Sequence, residues 1–267
     1  MGILNVTPDS FSDGGLHFDR SAAVDHGLRM VDEGADIIDI GGESTRPGSD
    51  AVPLEEELRR TIPVIEELAK RVPVPVSIDT YKAEVARRAM DAGASMVNDV
   101  SGLRFDASMP GLVASRRVPV VIMHIKGTPK SMQANPLYEA LIPEVMDYLR
   151  TSMRIARNSG IRDEMIIIDP GIGFGKTFDH NLEIINNLDQ FLPLEKPILI
   201  GPSRKAFIGK ILGDAPAPGR LEGTAAAVAI SVIKGASIVR AHDVKEMAKV
   251  IRVADAIKRE KAVLSYL

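Results

Sequence analysis

A series of short apolar runs, each ending in polar residues, constrains the fold of this chain more than any other feature. Runs such as Ile166-Ile167-Ile168 and Ile198-Leu199-Ile200 have the length and branched side chains of strands buried on both faces of a parallel sheet. Asp169 follows the first of these runs directly. Because the carboxyl ends of parallel barrel strands open at one rim, the polar residues after them converge on one site. The pattern therefore predicts both a fold and the place of an active site.

Segments with helical spacing lie between these runs. Helices are predicted near residues 20–33, 54–71, 82–92, 106–116, 139–158, 180–187, 222–234 and 243–258. With a first strand at residues 1–4, the alternation gives roughly eight right-handed βαβ units, the number that closes a barrel. We predict an α/β fold, a single (β/α)8 TIM barrel domain spanning residues 1–267, with its active site at the C-terminal ends of the strands.

Composition excludes several classes of function. A net charge of −3, with no Trp and 4% aromatic residues, is unsuited to nucleic-acid binding. No apolar run approaches the roughly 20 residues of a membrane helix, and the first residues lack the charged segment of a signal peptide. The absence of cysteine excludes disulfides, thiolate nucleophiles and cysteine zinc sites. We expect a cytoplasmic protein that acts on small molecules, with no nucleic-acid or membrane partner.

Polar residues at the ends of four predicted strands form the first candidate site. Asp79, Asn98 and Asp169 each end a strand, and Lys205 follows another. Any one of the first three could instead be a helix cap, the commoner use of Asp and Asn. Together they offer acceptors beside an ammonium donor, which is what the edge of an amino-pyrimidinone heterocycle requires.

Arg240 and His242 follow the last predicted strand, directly before a helix. Barrels often bind phosphate at this position, and the helix dipole favours an anion there. Taken alone, Arg240 would be read as a surface ion pair and His242 as a satisfied polar contact. Their pairing at this position predicts an anion site.

Three irregular stretches, at residues 5–19, 42–53 and 125–137, follow predicted strands and should overhang the same rim. The first is rich in Gly, Pro, Ser and Asp and carries Phe11, which suggests a lid that closes over a flat substrate. The second carries Thr45-Arg46-Pro47-Gly48 and is a second lid candidate. Ordinary solvated loops are the alternative for both.

Other motifs are not supported. The glycines of residues 171–177 have the wrong spacing for a phosphate loop or a dinucleotide fingerprint. The histidines lack metalloprotease spacing, and no serine lies in a nucleophile elbow. Covalent acyl chemistry and a zinc site built by the protein are therefore not expected.

Several of these motifs resemble signatures of the dihydropteroate synthase family, over nearly the whole chain. The motifs are MGILNVTPDSFSDGG at 1–15, DIGGESTRPG at 39–48, SIDT at 77–80, ND at 98–99, MH at 123–124, DPGIGFGK at 169–176, SRK at 203–205 and RAH at 240–242. The resemblance implies a (β/α)8 barrel. It also implies condensation of 6-hydroxymethyl-7,8-dihydropterin pyrophosphate with 4-aminobenzoate, giving dihydropteroate and pyrophosphate in folate synthesis.

The resemblance also implies a role for individual residues. The pterin would be held by Asp79, Asn98, Asp169 and Lys205. The pyrophosphate would be held by Asn5, Arg240 and His242, with Asn5 also binding Mg2+. The aminobenzoate would be framed by Thr45, Arg46, Pro47, Phe174 and Ser203, while the mobile first loop carries Phe11 and Asp13. The catalytic residues would be Asp79, Asp169, Lys205, Arg240 and His242.

A reaction follows from these roles. Mg2+, Arg240, His242 and the helix dipole would neutralise the leaving pyrophosphate. Its departure would leave a methylene cation conjugated to the pterin, stabilised by Asp79 and Asp169, before the neutral arylamine attacks. A concerted displacement stays open.

Three other functions use the same barrel. A pterin-dependent methyltransferase domain should lack the SRK motif and the first-loop signature, and a non-catalytic pterin-binding module should have incomplete lids and anion site. A phosphate-sugar isomerase would need a glutamate base, for which Glu43 is the candidate. Finally, residues 224–233 form a largely apolar helix, which packing on the barrel explains most simply. A dimer face is the other reading, and we expect a homodimer.

Overall fold

A computed structural model describes residues 1–7, 20–46 and 48–261. Its parallel strands are β1 (Gly2–Asn5), β2 (Ile38–Gly41), β3 (Val76–Asp79), β4 (Met96–Asp99), β5 (Val120–Met123), β6 (Ile166–Asp169), β7 (Leu199–Ile200) and β8 (Ile238–Val239). The helices are α1 (Arg20–Asp32), α2 (Leu54–Arg71), α3 (Ala83–Asp91), α4 (Met109–Arg116), α5 (Leu141–Asn158), α6 (Phe178–Asn186), α7 (Ala206–Ile211), α8 (Leu221–Ile233) and α9 (Val244–Arg259).

The strands close into a barrel. β1 to β6 pair in sequence order, and β7 pairs with β8. Bridges between Gly2 and Ala241 and between Ile168 and Ile198 join these two groups at both edges. The backbone nitrogen of Ile3 donates to the oxygen of Ala241 at 3.0 Å, which connects the start and end of the barrel. The predicted (β/α)8 fold is confirmed.

The two-residue period of the strands places polar side chains at the rim. Ile38 and Ile40 on β2, for example, belong to the large core between strands and helices. Val121 and Ile167 belong to a second apolar cluster, formed by the alternate positions that face the barrel interior. The next inward position on a strand, two residues closer to its carboxyl end, is polar where the strand reaches the rim, as at Asp169 after Ile167. The apolar layer thus forms the base on which the site lies.

The structure departs from the predicted helices at two points. Helix α7 (Ala206–Ile211), directly after Lys205, was not predicted because its six residues are too few to show a helical period. Helix α4 begins at Met109 rather than near residue 106, because Asp106 accepts from the backbone nitrogen of Ser108 at 2.9 Å in the preceding turn. Among the described residues, no helix has the length and apolar character needed to cross a membrane.

Candidate active site

A buried ion-pair network forms the floor of the rim. Arg240, after β8, donates from Nε to Asp39 Oδ2 at 2.6 Å and from Nη2 to Asp79 Oδ2 at 2.8 Å. Asn98 donates from Nδ2 to the same Asp39 oxygen at 2.9 Å. Three separate strands, β2, β3 and β4, supply these acceptors and the amide. The alternative for Arg240 was a surface ion pair. Arg240 is indeed ion-paired, but its side chain is only 20% exposed, so the pair is not at the surface.

Asp79 lies in an electrostatic environment that favours its protonated form. Burial raises the pKa of Asp79, Arg240 opposes this, and the neighbouring carboxylate of Asp39 raises it further. The guanidinium between the two carboxylates is what keeps this group of like charges together. The hydrogen bonds of Arg240 to Asp39 and Asp79 therefore hold this arrangement in place before any ligand arrives.

Asp169 lies at the end of β6, with Oδ1 accepting from the backbone nitrogen of Gly171 at 2.7 Å. Burial raises the pKa of Asp169 to about 6, against the opposing effects of the Gly171 amide and the cations of Lys205 and Lys176. It is therefore mostly ionised at pH 7. The hydrogen bond to Gly171 fixes the orientation of the carboxylate.

Lys205 directly precedes helix α7 and faces the turn after β6. Its Nζ lies 4.4 Å from the ring centroid of Phe174, within cation–π distance. A Cβ atom on Gly173, whose φ is +84°, would lie 3.3 Å from the same nitrogen, so glycine permits this close approach. Burial lowers the pKa of Lys205 to about 8, with Arg240 adding to the effect and Asp169 and Asp79 opposing it.

His242 and Ser203 are held together beside this set. Ser203 Oγ lies 3.0 Å from His242 Nδ1 and accepts from the backbone nitrogen of His242 at 3.1 Å. Burial lowers the pKa of His242 to about 3, and Arg240 and Arg204 lower it further. The imidazole is neutral at pH 7, so towards an anion it offers a hydrogen bond and not the charge that the sequence suggested.

The remaining predicted residues are spread along the rim. Asn5 is half-buried at the end of β1, opposite Gly41 in the sheet register. Thr45 is half-buried and Arg46 exposed on the loop after β2. Phe174 is buried and packs with Met123 and Met132, among others. The predicted residues Phe11, Asp13 and Pro47 lie outside the described residues.

A metal site built by the protein alone is absent from the part of the chain that the structure describes. No group of three or more His, Cys, Asp or Glu residues there could hold an ion. An ion at this rim would take its protein ligand from Asn5, whose amide oxygen suits Mg2+, and its other ligands from phosphate oxygens and water.

Comparison with known proteins decides the family. Residues 1–242 match the sequence model described as pterin binding enzyme. The chain belongs to this pterin-binding enzyme family. It is 48% identical to the dihydropteroate synthase of Synechocystis over 259 residues, covering 97% of this chain and 90% of that protein. The resemblance seen in the sequence is thereby confirmed.

Two solved structures of pterin-binding enzymes share the architecture. The dihydropteroate synthase of Xanthomonas albilineans with 4-aminobenzoic acid is 46% identical, has a TM-score of 0.90, and covers 96% of this chain and 92% of that one. The Yersinia pestis dihydropteroate synthase in a sulfonamide drug complex is 41% identical, has a TM-score of 0.92, and covers 97% of this chain and 93% of that one.

Two buried residues at this rim were missed as site residues. Asp39 is fully buried, and its Oδ1 has no hydrogen-bond partner among the described residues. The sequence did contain a signal for it, because Asp39 lies inside the apolar run of residues 37–40. Burying an isolated carboxylate costs free energy, so an Asp in a buried strand indicates a partner or a function.

Lys176 is the second residue that was missed. Its contacts explain the glycine-rich motif at residues 171–177, which fits no nucleotide fingerprint. Its Nζ donates to the oxygen of Phe174 at 3.0 Å and lies 2.8 Å from His124 Nδ1. Burial lowers the pKa of Lys176 to about 7 and that of His124 to about 2. A Cβ atom on Gly171 would lie 2.0 Å from the oxygen of His124. The motif thus builds the tight turn that carries Phe174.

Glu43 does not have the setting of a catalytic base. Its Oε1 accepts from the Tyr81 hydroxyl at 2.9 Å, and its Oε2 pairs with Lys82 at 2.5 Å. A carboxylate held by these donors is a structural group, so the isomerase alternative loses its candidate base.

Proposed function

We propose that this chain is a dihydropteroate synthase, joining 6-hydroxymethyl-7,8-dihydropterin pyrophosphate to 4-aminobenzoate with release of pyrophosphate. The observation that carries the proposal is the convergence of Asp79, Asn98, Asp169 and Lys205 on one rim, beside Arg240. Relatives that span almost the whole chain and are named dihydropteroate synthase support it.

The four rim residues have the donors and acceptors that a pterin edge needs. Because Asn98 gives its Nδ2 to Asp39, its carbonyl oxygen is the atom that accepts from a ligand. Asp169 uses Oδ1 for Gly171, which assigns its second oxygen to the amino and ring N–H groups. Lys205 remains largely protonated at pH 7 and donates to a carbonyl or ring nitrogen.

Arg240 joins this pterin floor to the pyrophosphate. A guanidinium has five N–H donors, and the bonds to Asp39 and Asp79 use two of them. The rest suit a pyrophosphate oxygen, with His242 as a neutral donor. Mg2+ held by Asn5 would supply further positive charge on the leaving group. We propose these residues and Mg2+ as the anion site.

The proposed reaction breaks the bond between the pterin methylene and the pyrophosphate oxygen, which keeps the electron pair. Asp169, which is mostly ionised at pH 7, and the ionised form of Asp79 stabilise the resulting cation. The amine of aminobenzoate then forms the new C–N bond and loses a proton to solvent water. Thr45, Arg46, Phe174 and Ser203 would frame this second substrate, with Arg46 near its carboxylate.

A pterin-dependent methyltransferase domain and a non-catalytic module are the alternatives. Ser203, Arg204 and Lys205 lie at the rim, with Arg204 Nε donating to Asp243 Oδ2 at 2.9 Å. This ion pair holds the motif that a methyltransferase domain should lack. The synthase is therefore the better-supported function.

We further propose a cytoplasmic homodimer. Ile230 and Ile233 on α8 and Val253 and Ile257 on α9 are 45–66% exposed, and these two helices pack side by side. Burial of such apolar side chains against a second copy is favourable. Sedimentation should give a dimer that Ile257→Lys weakens, while a monomeric wild type would contradict the proposal.

The function is tested by product analysis. With dihydropterin pyrophosphate and Mg2+, the enzyme should release pyrophosphate and form dihydropteroate, identified by mass, when aminobenzoate is present. A sulfonamide should compete with aminobenzoate. Release of pyrophosphate with no dihydropteroate, or no turnover at all, would contradict the proposed function.

A further inference from the structure

A buried cluster of charged side chains closes the base of the second loop, which we define as residues 43–52. Lys82 Nζ lies 2.5 Å from Glu43 Oε2 and donates to the backbone oxygen of Val52 at 2.7 Å. Glu43 Oε2 in turn accepts from the backbone nitrogen of Val52 at 3.1 Å. The two ends of the loop are thus joined to each other directly and through one ammonium group.

The same cluster connects the loop to the strand that carries Asp79. Lys82 Nζ also lies 2.5 Å from Oε2 of Glu57 on helix α2, whose side chain is 1% exposed. Glu57 Oε1 accepts from Thr80 Oγ1 at 2.7 Å, and Thr80 directly follows Asp79. The cluster therefore lies between the pterin floor and the second loop.

Lys82 carries the charge in this cluster. Burial alone would lower the pKa of Lys82, but its hydrogen bonds to Glu43 and Glu57 outweigh burial and raise it. Burial raises the pKa of Glu57, against the opposing effects of Lys82 and Thr80. One ammonium thus holds two carboxylates and a carbonyl, and an apolar side chain cannot replace these contacts.

The tip of the loop is held far more weakly. Gly48 donates to the backbone oxygen of Pro129 at 3.1 Å, and Asp50 pairs with Lys130 at 2.7 Å. The side chains of that pair are 83% and 73% exposed, so solvent screens it and it adds little stability. Within the loop, Ser49 Oγ donates to the backbone oxygens of Ser44 and Arg46, the latter at 2.8 Å. These bonds hold the loop's local shape, while the buried base anchors that shape, with Thr45 and Arg46, to the barrel.

We propose that Lys82 is a positioning residue, which fixes both ends of the second loop so that Thr45 and Arg46 meet the anionic second substrate. Lys82 does not itself touch substrate. The identity of that substrate as aminobenzoate rests on the proposed function. The role of Lys82 in holding the loop is independent of the proposed function.

The test is Lys82→Met, which keeps the aliphatic stem and removes the ammonium. We expect the KM for aminobenzoate to rise about tenfold or more, and the KM for the pterin pyrophosphate to change by less than about twofold. Lys70→Met is the matched control, since it removes an exposed lysine paired with Glu66 on α2, and both constants should be unchanged. Lys82→Met/Glu57→Gln should show the same split, and it removes the Glu57 carboxylate that the single variant leaves buried without its cation.

Hydrogen–deuterium exchange separates this proposal from the proposed function, because it needs no turnover. In both Lys82 variants the amides of residues 44–51 should exchange faster, while those of 58–68 in α2 keep the wild-type rate. Faster loop exchange in an enzyme that forms no dihydropteroate would contradict the function and leave the positioning role intact. Unchanged loop exchange, or KM values that rise together, would overturn the role of Lys82.

Discussion

The floor of the rim and the second loop hold their side chains in different ways. On the floor, Arg240 joins Asp39 and Asp79 through buried hydrogen bonds of 2.6 and 2.8 Å. On the loop, Arg46 is exposed. The tip contacts the next loop through the backbone bond of Gly48 to Pro129 and the exposed pair of Asp50 and Lys130, and Ser49 bonds to Ser44 and Arg46 within the loop. Buried pairs are screened less than exposed ones, so the floor keeps its geometry without a ligand. Under the proposed function, we expect the floor to be preformed for the first substrate and the loop to adjust to the second.

Arg240→Ala should have the largest effect, because it removes the centre of the floor. It leaves Asp39 buried without its cation, a change that costs about 3–5 kcal/mol of folding free energy. Pyrophosphate affinity should fall by roughly 1.5–3 kcal/mol, and pterin affinity should fall as well, because Asp79 loses its anchor. Urea unfolding and calorimetry measure the three changes.

Arg259→Ala is the control for this variant, since it removes a helix-surface pair with Asp255 in which the arginine side chain is 60% exposed. It should leave stability within about 1 kcal/mol of wild type. A stable Arg240→Ala protein with normal pterin binding would show that the floor is not held by this residue.

Asp169→Asn should reduce pterin affinity by about 1–3 kcal/mol, roughly 5- to 150-fold. The amide presents a donor where the pterin edge needs an acceptor, while pyrophosphate binding should change little. Asp163→Asn, at an exposed carboxylate, is the matched control and should bind both ligands normally. Calorimetry with each ligand checks the prediction, and unchanged pterin affinity would remove Asp169 from the pterin edge.

The pH dependence of pterin affinity should show two limbs. Asp79 and Asp169 become protonated and lose their acceptor role as the pH falls through about 7 and about 6, and Lys205 loses its ammonium donor above about 8. Affinity should therefore be highest between about 7 and 8, and should fall about tenfold per pH unit above that range and at least as steeply below about 6. Lys205→Arg should abolish the alkaline limb, because a guanidinium stays charged. An alkaline limb that persists in this variant would assign it to another group.

The sequence predicted the strand-end residues of the floor better than the buried residues that hold the site in place. Asp79, Asn98 and Asp169 were predicted to meet because each ends an apolar run, and the structure does place all three at strand ends on one rim. The contact between Arg240 and Asp39 joins residues about 200 positions apart, and no local pattern marks such a pairing. Lys176 and Lys82 were missed for a related reason, since a lysine in a polar stretch looks solvated until the fold buries it. Helix α7 was too short to give a period.

The measurement that tests the central contrast most directly is the affinity for aminobenzoate, determined by calorimetry in two states of the enzyme. If the floor is preformed and the loop is not, aminobenzoate should bind poorly to the free enzyme, because binding must also order the loop. It should bind at least about tenfold more tightly once Mg2+, pyrophosphate and a pterin are present. Equal affinity in both states would show that the second pocket is preformed, and would contradict the account.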